Sequence, residues 1–413
     1  MRVYIFSPIP FSFLHQRPQK IAEELRRQSV SVTFVEPYGF TEIAAGRKRF
    51  KIRDVFHFLF YHFLGLLDLI FHRTPDMPSI RSATESYHDP FKIITFPLII
   101  PSNRVDSAFL DRLNSAVLRA WLVRNIPATR DANGGAVALV QQPYLGSVLR
   151  KGDFHRICYD CIDDLTVFSG RGSRERLSVN EESLLEIADT VFVTSDALDE
   201  HLHRRRSGLS TVRIPNGVDF EQFQKLAATS PVPPELHLAR KPVAGYVGIL
   251  RAWFDAQLME SLARQNPDVT FVLVGPFDDT AELLGLEALS NVILTGRKPY
   301  SEIPAYIRAF DVCLIPFKQG EIAETTNPVK VFEYFALGKP VVSTWLRELI
   351  PYAEEGLLSI AKTRDEFSEA LLRELGSTDK QKEAGRRAMA MKNSWNIHVG
   401  RMIETMQGLG VSR

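Results

Sequence analysis

Residues 317–344 constrain the fold of this chain most, because the stretch FKQGEIAETTNPVKVFEYFALGKPVVST contains its own start and stop signals. Asn327 followed by Pro328 predicts a helix start, since asparagine can accept a hydrogen bond from an orphan amide and proline is tolerated at the first helical position. The later glycine and proline of ALGKP predict the helix end. Apolar, β-branched runs on both sides predict buried strands. The stretch therefore predicts a strand, a loop, a helix and a second strand.

The start of this helix is a candidate anion site. In open parallel sheets such a helix begins near the carboxyl end of the preceding strand, where ligands bind, and its free amides and positive dipole end suit a diphosphate. Lys330 lies in the first turn, and Glu333 follows three residues later on the same face. The pair suits a phosphate and a ribose diol respectively. An ordinary surface ion pair is the alternative interpretation.

The pattern N-P-V-K-V-F-E-Y followed by A-L-G-K-P-V-V resembles the donor-binding region of retaining GT-B glycosyltransferases of family four, which bind a nucleotide sugar. The resemblance implies that the region of Val329 and Lys330 contacts the diphosphate and that Glu333 recognises the ribose. Asn327 is a further donor-binding candidate. Many members carry a second glutamate eight positions earlier, where this chain has Thr325 with Glu324 beside it. Either Glu324 substitutes for that glutamate or the donor sugar is held differently.

Other donor-side candidates follow strands in the second half of the chain. The strand 243–249 contains two glycines that permit close backbone approach to a ligand. Relatives follow this strand with an arginine and a lysine that grip the diphosphate, but this chain has only the arginine. The loop after strand 292–296 is where related enzymes hold the base. The candidates are Gly248, Arg251, Thr295, Gly296 and Arg297.

Acceptor-side candidates lie in the first half, which begins as strand, loop, helix and strand without a dinucleotide fingerprint. His15, Gln16 and Arg17 precede a proline at a helix start, and H-Q-R-P resembles a loop of glycosyltransferases related to teichuronic-acid synthesis. Alternatively, the first two residues cap the helix and Arg17 lies in solvent. Gln142 and Tyr144 end a later strand and are further acceptor-side candidates.

Asp163 and Asp164 close another predicted strand at its carboxyl end, where catalytic groups gather in such sheets. A carboxylate there could orient an acceptor hydroxyl or take its proton. The alternative is that one of them caps the next helix. The catalytic candidates are therefore Asp163, Asp164, Lys330 and Arg251.

The segment 55–71, VFHFLFYHFLGLLDLIF, is the feature least typical of a generic soluble enzyme. It is short for a bilayer span and carries polar breaks. It is either a helix docked into the N-terminal domain or an interfacial helix, with the cations that begin at residue 47 drawn to anionic lipid. Region 47–71 is thus a candidate for peripheral membrane contact, with binding to anionic liposomes that weakens in salt.

Composition limits the remaining possibilities. The 413 residues are 45% hydrophobic and 24% charged with a net charge of +1, which indicates a globular protein and makes nucleic acid an unexpected partner. No signal peptide is recognised. The three cysteines suggest a reducing cytoplasm. Cys158 and Cys161 form a lone C-x-x-C in a predicted strand, which favours structural thiols over redox or zinc chemistry.

The sequence thus predicts an α/β protein with two Rossmann-like, doubly wound domains that, in the resembled GT-B fold, face each other across a cleft. The expected parts are an acceptor-binding domain (1–225), a linker (226–241), a nucleotide-sugar domain (242–394) and a returning C-terminal helix (395–413). The expected reaction transfers a sugar from a UDP- or GDP-sugar to a glycan or polyprenyl-linked acceptor, with retention and without a metal or other cofactor. A hydrolysing nucleotide-sugar epimerase and a non-catalytic scaffold of a polysaccharide assembly complex are the alternatives.

Overall fold

The computed structural model describes residues 1–12, 15–37, 63, 85–88, 91–97, 108–126, 135–165, 167, 171–237, 239–277 and 283–409. The segment 55–71 therefore lies outside the described residues except for Phe63. The chain divides into two compact units. The first contains Met1–Val193, Leu198–Arg213 and Val399–Arg413, and the second contains Thr194–Ala197 and Ile214–His398.

The first unit is built on an eight-stranded sheet with the order β3-β4-β2-β1-β5-β6-β7-β8. All neighbouring strands are parallel except β3, which runs antiparallel to β4 at the edge. The polar residues 85–88 form this edge strand by pairing with β4. The strands are β1 Arg2–Phe6, β2 Ser31–Glu36, β3 Glu85–His88, β4 Phe91–Thr95, β5 Ala136–Val140, β6 Arg156–Cys161, β7 Thr190–Val193 and β8 Thr211–Arg213.

Helices accompany this sheet, and its central strands are deeply buried. Every residue of β5 is buried, as expected of a parallel strand that is covered on both faces. Cys158 and Cys161 are buried free thiols in β6, as the sequence interpretation required. The helices are α1 Arg17–Arg27, α2 Ala108–Asn125, α3 Arg171–Ile187 and α4 Asp196–Arg205.

The second unit has a six-stranded, all-parallel sheet with the order β11-β10-β9-β12-β13-β14. Strand order reverses between β9 and β12, and the crevice at such a switch point is where doubly wound sheets bind ligands. The strands are β9 Val243–Val247, β10 Thr270–Val274, β11 Val292–Gly296, β12 Val312–Ile315, β13 Val341–Thr344 and β14 Ser359–Ala361.

Short helices connect these strands, and longer helices follow the sheet. The final helix, Trp395–Gln407, has its first residues in the second unit and its remaining residues in the first. The helices are α5 Phe220–Thr229, α6 Ala256–Gln265, α7 Leu284–Glu287, α8 Ile303–Ala309, α9 Glu321–Thr325, α10 Val329–Ala336, α11 Ile350–Glu354, α12 Arg364–Leu375, α13 Lys380–Lys392 and α14 Trp395–Gln407.

The predicted strand, helix and strand around residues 317–344 are confirmed as β12, α10 and β13. The predicted cap is wrong in one detail. Helix α10 begins at Val329, and no side chain caps it, because the Asn327 side chain accepts a hydrogen bond from elsewhere in the unit. A further short helix, α9, forms within the predicted loop. The amides of the first turn of α10 are thus left without a side-chain cap.

No helix in the described part of the chain is both long and apolar enough to cross a bilayer.

Candidate functional site

Three glycines at the carboxyl ends of neighbouring strands form the floor of the candidate site in the second unit. The backbone N–H of Gly248, which follows β9, donates to the carbonyl of Val274, and that of Gly275, which follows β10, donates to Gly296. Gly248 and Gly275 have φ angles of 146° and 150°. A Cβ on Gly275 would lie 1.9 Å from the Gly248 carbonyl oxygen. A side chain at Gly275 would therefore collide with the Gly248 backbone, and glycines at this edge permit close approach of a ligand.

The loops that follow β9 and β12 flank the switch point and are hydrogen-bonded to each other. The backbone N–H of Lys318 donates to Trp253, and that of Asp255 donates to Pro316, at 2.8 and 2.9 Å. Asp255 also caps α6 by accepting from the N–H of Leu258. The loop that carries Arg251 is therefore fixed to the segment that leads to α10.

Lys330 lies in the first turn of α10 and extends over Gly248. Its Cε would be 3.0 Å from a Cβ at that glycine. Its ammonium lies 4.6 Å from the ring centroid of Phe317 and 5.2 Å from that of Tyr246, within the range of cation–π attraction. In the described part of the chain, no carboxylate lies within ion-pair distance of this ammonium. Burial lowers the pKa of Lys330 to about 8, against the opposing effect of the Glu333 charge.

Glu333 is only 7% exposed, one turn further along α10. The phenol of Tyr300, just beyond β11, donates a hydrogen bond of 2.9 Å to its Oε1. Together with the position of the Lys330 ammonium, this burial contradicts the interpretation of Lys330 and Glu333 as a surface ion pair. The cation and the carboxylate instead lie at the uncapped start of a helix beside a glycine edge, an arrangement suited to a diphosphate and a ribose.

Asn327, immediately before α10, is buried and held by Asn216. The backbone N–H of Asn216 donates to Asn327 Oδ1 at 3.2 Å, and its side-chain amide donates to the Asn327 carbonyl at 2.7 Å. Among the described residues, the Asn327 Nδ2 has no hydrogen-bond acceptor. An unpaired buried donor beside uncapped amides adds to the capacity of this helix start to bind an anion.

The remaining donor-side candidates lie around this core with different degrees of exposure. Arg251, Arg297 and Glu324 are exposed, whereas Thr295 and Thr325 are partly buried. The Thr295 hydroxyl donates to the Gly296 carbonyl, and the Thr325 carbonyl accepts from the Ser195 hydroxyl at 3.0 Å. The structure does not bring Glu324 into any hydrogen bond or ion pair with a described residue. Its predicted contact with the donor sugar stays a prediction.

In the first unit, Arg17 is buried rather than solvated. Its guanidinium makes a bidentate pair with Asp160 of β6, with contacts of 2.7 and 3.0 Å. Gln141 also donates to Asp160, at 2.8 Å. Arg17 follows β1, Gln141 follows β5, and these two strands meet at the switch point of the first sheet. The interpretation of Arg17 as a solvent residue is wrong, and its guanidinium is instead anchored at the acceptor-side edge.

Asp163 and Asp164 are both partly buried just after β6. Burial raises the pKa of Asp163 to about 7, and the Asp164 charge adds to this rise while Arg17 opposes it. Asp164 lies 3.9 Å from the imidazole of His201. A carboxyl group with a pKa near neutrality can exchange a proton at physiological pH, which suits the predicted catalytic role.

The other acceptor-side candidates are spread along the same unit. The His15 imidazole lies 3.3 Å from Glu23. Gln16 is exposed and precedes α1, where its backbone N–H donates to the Gln19 side chain. Gln142 is 2% exposed, and neither atom of its amide has a partner among the described residues. Burial raises the pKa of the Tyr144 phenol above its ordinary value. No described contact joins these four residues, so their common role stays a prediction.

Several contacts of the candidate site could not be found from the sequence. The aromatic rings around Lys330, the tyrosine on Glu333 and the asparagine on Asn327 all come from distant segments. The only local signals were the P-N-G turn that contains Asn216 and the position of Tyr300 just after a strand end. Among the described residues, no cluster of three or more metal-ligating side chains is arranged to hold a metal ion.

Two Rossmann-like units, each with parallel strands and a switch point, give the GT-B fold, and the predicted fold class is confirmed. Solved structures described as trehalose-6-phosphate synthases share this fold. One from E. coli, bound with UDP-2-fluoro glucose, has a TM-score of 0.67 and 13% identity, with 100% of each chain covered. Another, from Burkholderia multivorans, has a TM-score of 0.66 and 12% identity, covering 99% of this chain and 98% of that one.

Sequence comparison adds a family match for part of the second unit. Residues 241–377 match the family model described as Glycosyl transferases group 1, which confirms the resemblance predicted for this region. A Bacillus subtilis (strain 168) protein, provisionally named teichuronic acid biosynthesis glycosyltransferase TuaH, is 32% identical over 204 residues. That match covers 46% of this chain and spans only half the length of the relative.

Proposed function

We propose that this protein is a glycosyltransferase that moves a sugar from a nucleotide-diphosphate sugar to a glycan or lipid-linked acceptor in polysaccharide synthesis. The observation that carries the proposal is the placement of Lys330 over Gly248 at the uncapped start of α10, with Glu333 buried one turn away. The match of residues 241–377 to group 1 glycosyltransferases supports it. The UDP- or GDP-sugar is the co-substrate, and the proposal includes no metal or other cofactor.

In this proposal the second unit holds the donor. The α10 amides, Lys330 and Arg251 bind the diphosphate, and Glu333 accepts hydrogen bonds from the ribose. As the bond between the sugar C1 and the phosphate oxygen breaks, negative charge develops on the diphosphate. A preorganised cation and helix dipole stabilise that charge without reorganisation, which lowers the barrier. Loss of the Lys330 ammonium is therefore expected to slow this step.

The acceptor hydroxyl then bonds to C1, and its proton passes to the leaving phosphate oxygen or to Asp163. The acceptor side is assigned to the first unit, around Asp163, Asp164 and Arg17. Retention of the anomeric configuration is part of the proposal. It is supported by the resemblance of the region around α10 to family four.

A cytoplasmic location, with peripheral contact between region 47–71 and the inner face of the plasma membrane, is also proposed. The support is the sequence of that region, which lies outside the described residues apart from Phe63. Purified protein is expected to bind anionic vesicles at low salt and to leave them at high salt. Absence of binding to anionic vesicles at every salt concentration would contradict this part of the proposal.

The experiment for the main proposal measures turnover of UDP- and GDP-linked sugars with and without an extract of polyprenyl-linked glycans. Release of the nucleoside diphosphate is expected to require the acceptor, to be abolished in Lys330→Met and to persist in Lys362→Met, which removes an exposed lysine of the same unit. A free sugar isomer formed without acceptor would instead indicate the epimerase. An absence of both turnover and nucleotide binding would indicate the scaffold.

A further inference from the structure

The loop between β11 and α8 is fastened to the rest of the second unit by a charged network at Lys298. The Lys298 ammonium forms an ion pair with the carboxylate of Glu235, upstream of β9, and lies 5.8 Å from the ring centroid of Tyr306. The Tyr306 phenol donates to the other oxygen of that carboxylate at 2.9 Å. The hydrogen bond from Lys298 lowers the pKa of Glu235, as expected for a firmly paired carboxylate.

The same loop is fastened a second time, two residues later, at Tyr300. The Tyr300 ring packs against Phe223 of α5, with ring centroids 6.1 Å apart. Its hydroxyl donates to Glu333 Oε1 at 2.9 Å. Because Glu333 is 7% exposed, its carboxylate must keep polar partners in an enclosed site, and a hydrogen bond to a charged group is among the stronger kinds. The loop thus connects Glu235, outside the sheet, to the carboxylate of α10.

We propose that Tyr300 is a positioning residue that orients the Glu333 carboxylate toward the ribose hydroxyls of a nucleoside diphosphate. We further propose that the Lys298–Glu235–Tyr306 network holds Tyr300 in place. This inference rests on the proposed function, since it assigns the ribose to Glu333. A carboxylate has about four lone-pair sites, so it can accept from Tyr300 and from a ribose diol together. Tyr300 fixes the side-chain torsions, and the ribose then binds a preorganised acceptor.

The test is a thermodynamic cycle between the phenol oxygen and the ribose hydroxyls. Calorimetry with UDP, GDP, ADP and CMP first identifies the nucleotide that binds. That nucleotide and its 2′,3′-dideoxy analogue are then titrated into wild-type protein and Tyr300→Phe. Tyr300→Phe is expected to weaken binding of the ribonucleotide about five- to tenfold. Binding of the analogue should change less than about twofold, because the analogue has no ribose hydroxyl to donate a hydrogen bond to Glu333.

Two further variants separate positioning from general damage. Lys298→Met, which releases the loop without touching Glu333, is expected to give the same pattern with a smaller loss of about two- to fivefold. Tyr352→Phe removes the hydroxyl group from a ring that packs on Phe332 and Phe335 of α10. It is expected to leave the affinities for the ribonucleotide and for its analogue unchanged.

Equal losses for the ribonucleotide and its analogue in Tyr300→Phe, or no loss for either, would overturn the inference. If Glu333→Gln weakened ribonucleotide binding while Tyr300→Phe did not, the positioning role alone would fail and the proposed function would stand. If none of the four nucleotides bound wild-type protein, the proposed function would fail with it.

Discussion

Asn216 and Asn327 are joined by two buried hydrogen bonds although they lie 111 residues apart in the chain. One bond runs from the Asn216 backbone to the Asn327 side chain, and the other from the Asn216 side chain to the Asn327 backbone. This reciprocal pair fixes the residue before Pro328 and α10 to the turn that follows β8. The start of the anion-binding helix is therefore positioned by a segment far away in sequence.

Asn216→Ala is expected to lower stability by about 1–3 kcal/mol, because the buried Asn327 carbonyl loses its donor. It is also expected to weaken nucleotide binding, because of these two bonds only the one from the residue 216 backbone to Asn327 Oδ1 then holds the start of α10. Asn266→Ala is the matched control: that buried amide donates to the Leu262 carbonyl at the end of α6, so its loss costs stability without reaching α10. Calorimetry and thermal unfolding of both variants decide this. Equal nucleotide affinities in the two variants would contradict the positioning role.

Nucleotide affinity is expected to fall about tenfold between about pH 7 and pH 9, because the Lys330 pKa of about 8 means that its ammonium loses its proton in that range. In the ligand-free protein the sign is opposite. A lowered folded-state pKa means that the unfolded chain binds more protons above about pH 8, so stability rises from there toward pH 10.5. Lys330→Met should bind more weakly and lose this pH dependence of affinity. A wild-type affinity that stays constant across the range would show that the ammonium does not bind the diphosphate.

Gly248→Ala is expected to weaken nucleotide binding at least about tenfold. The new methyl group would lie 2.8 Å from the Tyr246 hydroxyl and 3.0 Å from Lys330 Cε, and the φ of 146° is strained for alanine. Gly356→Ala is the control, since Gly356 also has a positive φ, of 73°, but its Cβ would meet nothing closer than 4.0 Å. Binding measured at matched folded fractions separates the two effects. Equal nucleotide affinities in the two variants would show that the space Gly248 leaves for Lys330 does not matter for binding.

Arg17→Met is expected to destabilise the first unit by about 3–5 kcal/mol, because it leaves the Asp160 carboxylate buried and without its bidentate partner. The double variant Arg17→Met/Asp160→Asn should recover much of that loss, since no charge then remains unpaired. Thermal unfolding of the single and double variants measures the difference. A single variant as stable as wild type would mean that water replaces the guanidinium and that the pair contributes nothing.

The sequence was sufficient for those parts of the fold and site that depend on local signals. The proline near the start of α10, its G-K-P end and the apolar runs on either side were enough to predict strand, helix and strand, although Asn327 does not cap the helix. The helical spacing of Lys330 and Glu333 put them on one face, and the resemblance to family four implied their roles. Gly248 was predicted as a glycine that permits close backbone approach within the strand 243–249.

Contacts between residues far apart in the chain could not be predicted from the sequence. Asn327 was predicted to cap the helix, but its side-chain oxygen instead accepts a hydrogen bond from the Asn216 backbone. For Arg17 the sequence left open an acceptor-side role or a place in solvent, because its buried partner Asp160 lies 143 residues away. Tyr300 offered only its position just after a strand end, which does not predict a hydrogen bond to Glu333. Such contacts depend on which strand ends meet at one sheet edge, and sheet order is not encoded in any local window.

The most direct test of the central claim is calorimetric binding of UDP, GDP, ADP and CMP to wild-type protein, Glu333→Gln and the control Glu355→Gln, which changes an exposed glutamate of the same unit. We expect one nucleoside diphosphate to bind wild type and the control equally. Its affinity for Glu333→Gln should be at least about tenfold lower, since hydrogen bonds to a charged acceptor are lost. Absence of binding by all four nucleotides, or equal binding by Glu333→Gln, would contradict the claim that α10 holds a nucleotide sugar.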